Sequence, residues 1–214
     1  MQRTPGLIIT FFFILLFGGC SSLNEQSWIR LIPQESSFII VPKSGVSLNS
    51  INQEKYASLI DDMTESSLQQ VTGLDEQLLD QIQLKAAVLY PASSTQSELI
   101  WISETKLLLD ELAPVYYKPF EQNSYQFNGI TIHRLHINAT VVFAVQVHNW
   151  LVFSSSSRAV ESALRVYLGL GPSIDLDRVP QPGNLIINTE HIDHWVQQFV
   201  AVGYRPYVMN SFTG

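Results

Sequence analysis

SYQFNGITIHRLHINATVVFAVQVHNWLVFS, residues Ser124–Ser154, decides the fold class. Four short runs rich in β-branched and aromatic residues, Ser124–Phe127, Ile130–Ile137, Val141–His148 and Trp150–Ser154, are separated by Asn128-Gly129, Asn138-Ala139 and Asn149. Asn-Gly favours a two-residue hairpin turn, because both residues tolerate the positive φ that such a turn needs. The runs therefore read as consecutive antiparallel strands. Ile130, Ile132 and later Arg134 share one face, while Thr131, His133 and Leu135 share the other, the alternation of a half-buried strand.

On the N-terminal side, Phe38–Pro42 reads as a strand after a Pro-containing turn, and Ile51–Leu68 as a helix with Tyr56, Leu59, Ile60 and Met63 on one face. Asp75–Leu84 reads as a second helix through Leu78, Leu79 and Ile82. Ala86–Tyr90 and Glu98–Ile102 read as strands joined by a turn at Ser94–Ser97. Thr105–Leu112 reads as a short helix closed by Pro114. On the C-terminal side, Ser156–Leu168 is an amphipathic helix with Val160, Ala163, Leu164 and Tyr167 as its apolar stripe. Ser156 or Ser157 is positioned to cap it, and Gly169 and Gly171 end it. A strand over Leu185–Asn188 and a helix over Glu190–Val202 follow, the helix with Ile192, Trp195, Val196 and Phe199 on one face. Together these predict an α+β fold, a mainly antiparallel sheet with helices packed on one face.

An internal echo spans part of this pattern. Ile32-Pro33-Gln34-Glu35-Ser36-Ser37-Phe38-Ile39-Ile40 aligns with Val179-Pro180-Gln181-Pro182-Gly183-Asn184-Leu185-Ile186-Ile187, an offset of 147 positions. The proline, the glutamine and both isoleucines are identical. The expected organisation is a leader over 1–19, a tether over 20–30, an α+β domain over 31–178, and a strand-helix element over 179–214. That last element either completes the first sheet or opens a second repeat.

The leader carries the most specific signal in the chain. Leu7–Phe17 (LIITFFFILLF) is an apolar run of eleven residues, preceded by Arg3 and followed by Gly18, Gly19 and Cys20, the single cysteine. A membrane-crossing helix needs about 20 such residues, so the run reads as a cleavable export signal. The segment resembles the bacterial lipoprotein signal. Phe17-Gly18-Gly19-Cys20 stands where that family has its lipobox, with phenylalanine where leucine is usual. The resemblance implies diacylglycerol on the Cys20 thiol, cleavage before Cys20, acylation of the new amine, and a protein held at the membrane by this N-terminal lipid. Ser21 and Ser22 after the cysteine imply the outer membrane rather than the inner one. The rest of the chain loosely resembles large uncharacterised exported bacterial proteins, in which a Pro-rich turn precedes a short strand and a phrase like Leu151–Ser155 precedes a helix; that likeness implies no activity.

Without residues 1–19 the chain carries 11 basic and 19 acidic side chains, a formal charge of −8. An acidic chain without basic clusters excludes nucleic acid as the expected partner and electrostatic docking on anionic lipid. With one cysteine, no intrachain disulfide forms, and stability rests on an apolar core.

Chemistry-bearing patterns are sparse. His133 and His136 are three apart in a strand and point to opposite faces. His191 and His194 share a helix face beside Asp193 but lack a third ligand, so no metal site and no cofactor is expected. Ser154–Ser157 lacks a nucleophile elbow. Gly169-Leu170-Gly171-Pro172 follows a helix, the reverse of a phosphate loop. Asp61-Asp62 and Asp175/Asp177 lack calcium-loop spacing. No catalytic residue is assigned. Tyr116, Tyr117, Phe120, Tyr125 and Phe127 crowd one stretch with Pro114 and Pro119. They read as core, or as an aromatic groove for a glycan or protein partner in the envelope. The expected function is a non-catalytic binding, scaffolding or assembly role on a lipid anchor, with an envelope hydrolase acting on a cell-wall or glycan substrate as the alternative.

Overall fold

The computed structural model describes residues 27–43, 47, 80–91, 97–137, 140–174, 181–189, 191–200 and 202–206. The leader with Cys20, and the helix expected over Ile51–Leu68, lie outside these residues. Among the described residues no helix is long and apolar enough to cross a membrane.

Among the described residues eight strands form one antiparallel sheet: β1 (Phe38–Ile40), β2 (Gln83–Pro91), β3 (Ser97–Glu104), β4 (Ser124–Phe127), β5 (Ile130–Ile137), β6 (Thr140–Val147), β7 (Trp150–Ser154) and β8 (Leu185–Ile187). Their order is β4-β5-β6-β7-β3-β2-β1-β8. The β4–β7 half is a meander of hairpins. Asn128 and Gly129 both have positive φ, 48° and 82°, the geometry of a type I′ turn, and Phe127 pairs with Ile130 across it. The other half is stitched on by non-local pairing, β7 to β3, with Trp101 opposite Phe153, and β1 to both β2 and β8.

The sheet buries both faces. On the first, Ile39, Val88, Ile100, Ile102, Ile132, Val145 and Val152 meet α2 (Ser157–Tyr167), which contributes Ala159, Val160, Ala163 and Leu164. A 3₁₀ turn at Ser27–Leu31 adds Trp28 and Leu31 to the same cluster. Each buried Val, Ile or Leu side chain here contributes roughly 1.5–3 kcal/mol by leaving water. Helix α2 starts where the Ser156 hydroxyl accepts from the Ala159 amide (3.4 Å). It stops in a Schellman motif, with Leu170 N–H on Arg165 C=O (2.7 Å), Gly169 N–H on Val166 C=O (2.9 Å), and Gly169 at φ 71°.

On the second face, Ala87, Leu99, Trp101, Leu135, Val142, Ala144, Leu151 and Phe153 cluster with Leu109 and Ala113. Leu109 belongs to α1 (Leu109–Leu112), and Ala113 opens the 3₁₀ turn Ala113–Tyr116. Further along this face, Ile192 and Val196 of α3 (Ile192–Phe199) pack on Phe38 and Leu89. The mainly antiparallel sheet is as expected. The described helices, however, are divided between its faces, since strands apolar on both sides need a cover on each.

Two further expectations are corrected. Asp75–Leu84 is not helical to its end: β2 begins at Gln83, and Leu84 lies opposite Ser103. Ile82 and Leu84 fit an alternating strand as well as a helical stripe, and β3 supplies the pairing that decides. The helix expected from Thr105 begins only at Leu109. The Thr105 hydroxyl accepts from the Leu107 amide (3.1 Å), a local turn that competes with helix.

Candidate functional site

The 105–117 segment crosses the second face as a strap, and polar side chains of the sheet hold it there. Gln146 of β6 accepts from the Leu109 amide (2.6 Å) and donates to the Leu107 carbonyl (2.8 Å). A single side-chain amide thus satisfies the first N–H of the short helix and a carbonyl just before it.

His133 of β5 is the second fastening. Its Nε2 lies 2.9 Å from Asp110 Oδ1 in α1, and its Nδ1 lies 2.6 Å from the Tyr117 hydroxyl. The two rings stack, with centroids 6.2 Å apart and planes 17° from parallel. The carboxylate can only accept, so neutral His133 carries its proton on Nε2, and Tyr117 donates to Nδ1. The His133 side chain is 7% exposed and that of Asp110 86%, so the chain of bonds runs from inside the sheet to solvent. Burial, and then the charge of Asp110, push the Tyr117 hydroxyl above its ordinary pKa.

An open cleft of about 260 Å³ lies over this network, lined among others by Leu108, Asp110, Ile130, Thr131, His133 and Gln146. Leu108 at the cleft and Val115 further along the strap are exposed, and beyond the strap Phe120 has φ 63° and projects fully into solvent. The cleft combines an apolar rim, two carboxylates (Asp110 and Glu111) and amide and hydroxyl groups in a shallow recess.

The four expected binding aromatics do not share one groove. Tyr116 and Tyr117 pack partly against the second-face cluster. Tyr125 packs on the first face and donates to Glu161 of α2 (2.7 Å); burial, and then this bond, raise its pKa. Phe120 packs against neither cluster. Strand alternation separates Tyr125 from the others, whereas Tyr117 reaches its position through the turn at Ala113–Tyr116.

His133 and His136 are engaged by different partners. His136 Nε2 lies 3.4 Å from Glu121 Oε2 without an aligned hydrogen bond, in a separate surface cluster. There Glu121 pairs with Lys118 (2.7 Å) and Arg134 (3.0 Å), and its carboxyl is held below its usual pKa chiefly by the Lys118 hydrogen bond. Among the described residues no group of three or more His, Cys, Asp or Glu is arranged to hold a metal. The sequence reading missed the Asp110–His133–Tyr117 chain and Gln146. Its one visible signal was the polar His133 on a strand face otherwise apolar at Leu135 and Ile137. Comparison with protein-family models, with curated proteins and with solved structures finds no match to this chain.

Proposed function

We propose that this chain is a lipid-anchored protein of the bacterial envelope, on the outer membrane, with a non-catalytic binding, scaffolding or assembly role. The anchor rests on Phe17-Gly18-Gly19-Cys20 behind an apolar run too short to span a bilayer. Two or three acyl chains supply an attachment that one chain gives only marginally, at about 0.8 kcal/mol per buried methylene.

The observation that carries the non-catalytic half is that both nitrogens of His133 are engaged by the chain's own Asp110 and Tyr117. To serve as a general base, His133 would need one of those nitrogens open to a substrate or its water. Tyr117 is no better suited as a nucleophile, because its hydroxyl is shifted away from ionisation. The network fastens the strap and shapes the cleft, and the cleft rim offers apolar and hydrogen-bonding contact to a protein or glycan of the envelope.

The test is Cys20→Ala, expressed in a bacterium with labelled palmitate. The native chain is expected to take up label and sediment with membranes, and the variant to accumulate as unlabelled precursor. Normal processing of the variant refutes the anchor.

A further inference from the structure

The two copies of the sequence echo lie side by side. Phe38, Ile39 and Ile40 pair with Ile187, Ile186 and Leu185, so β1 and β8 are related by a local two-fold axis through Ile39 and Ile186. The flanking bonds obey the same symmetry. Val41 N–H donates to Asn184 C=O (2.8 Å), and Asn188 N–H donates to Ser37 C=O (2.9 Å). An offset of 147 positions converts each of these bonds into the other.

The symmetry fails at one place. Successive residues of a strand turn their backbone groups to opposite sides. Asn184, Ile186 and Asn188 face β1, so Leu185 and Ile187 face the other way. Their counterparts, Phe38 and Ile40, face β2, opposite Leu89 and Ala87. Among the described residues β8 is the last strand of the sheet and has nothing in that position. The side chains record the difference: all three residues of β1 are buried, and all three of β8 are only half-buried. The edge is short, which itself limits pairing, but it is apolar and carries no charge, proline or bulge.

We infer that the open edge of β8 is covered by a strand standing to it as β2 stands to β1, contributed by a second unit of this fold on polypeptide beyond Gly214. The occupant is an antiparallel segment with small or branched aliphatic side chains on both faces, as β2 has at Ala87, Val88 and Leu89. The β1–β8 pair is then the centre of a sheet shared by two related halves. The inference is independent of the lipid anchor and of the cleft.

Amide exchange, resolved by residue, tests it on the natural-length product and on the same chain ended at Gly214. In the natural-length product the Leu185 and Ile187 amides are expected to be protected together with Ile186. Ending the chain at Gly214 is expected to speed those two by roughly 100-fold while Ile186 stays protected. Fast exchange at Leu185 and Ile187 in the natural-length product overturns the inference. So does a natural product that ends at Gly214. Equal protection at both lengths also overturns it, and its dependence on protein concentration then separates a second copy from another segment of this same chain as the occupant.

Discussion

Helix α2 lies on one face of the sheet through Ala159, Val160, Ala163 and Leu164, all buried and all apolar. The 105–117 strap lies on the other face through Leu109 and Ala113, with Leu107, Tyr116 and Tyr117 half-buried against the same cluster, and it adds polar fastenings: Gln146 to the backbone of Leu107 and Leu109, and His133 to Asp110 and Tyr117. Area removed from water holds the first. A smaller apolar contact together with directed bonds holds the second, each bond contributing about 0.5–1.5 kcal/mol net. A cover held by a few bonds opens locally at less cost than one held by a continuous apolar stripe. The exposed cleft is found over the strap.

Substitutions on the two faces should therefore differ in kind as well as size. Leu164→Ala removes a fully buried side chain from the first face and is expected to cost about 2–5 kcal/mol of global stability, read from urea unfolding. Gln146→Ala leaves the Leu109 amide and the Leu107 carbonyl without their partner. It is expected to cost about 1–3 kcal/mol, with the Leu109 amide exchanging faster while amides of α2 stay protected. Equal acceleration on both faces would break the comparison, because it would make the strap part of one cooperative core.

Tyr117→Phe, the smallest of the three, removes one hydrogen bond and is expected to cost about 0.5–1.5 kcal/mol near neutral pH. Its pH dependence sharpens the point. The folded pKa of Tyr117 lies above its ordinary value of 10.0. The stability it contributes is therefore fully present below pH 10 and lost as pH rises through the folded value. The advantage of the native protein over Tyr117→Phe should shrink only above pH 10. A difference that stays constant to higher pH would show that the hydroxyl does not titrate against the fold.

The amphipathic cover was legible in the sequence, and the polar one was not. Val160, Ala163, Leu164 and Tyr167 recur at helical spacing, and Ser156 and Gly169 mark the ends, so α2 is written in local pattern. Gln146 and His133 are single polar residues on strands, and no periodicity tells what they will meet. Their partners lie 37 and 39 positions away for Gln146, and 16 positions from His133 to Tyr117. The same limit explains the error at Ile82 and Leu84, where two apolar residues fit either period until β3 pairs with them.

By itself the sequence determined the hairpins of β4–β7, through Asn128-Gly129 and alternation, and the extent of α2, through stripe and caps. Each depends on contacts between near neighbours. Only the tertiary structure decided that β7 pairs with β3, that β8 pairs with β1 to bring the two copies of the echo together, and that Asp110, His133 and Tyr117 meet. Those contacts close long loops, and what selects them is the joint burial of both faces of one sheet, a property of the assembled strands that no local window contains.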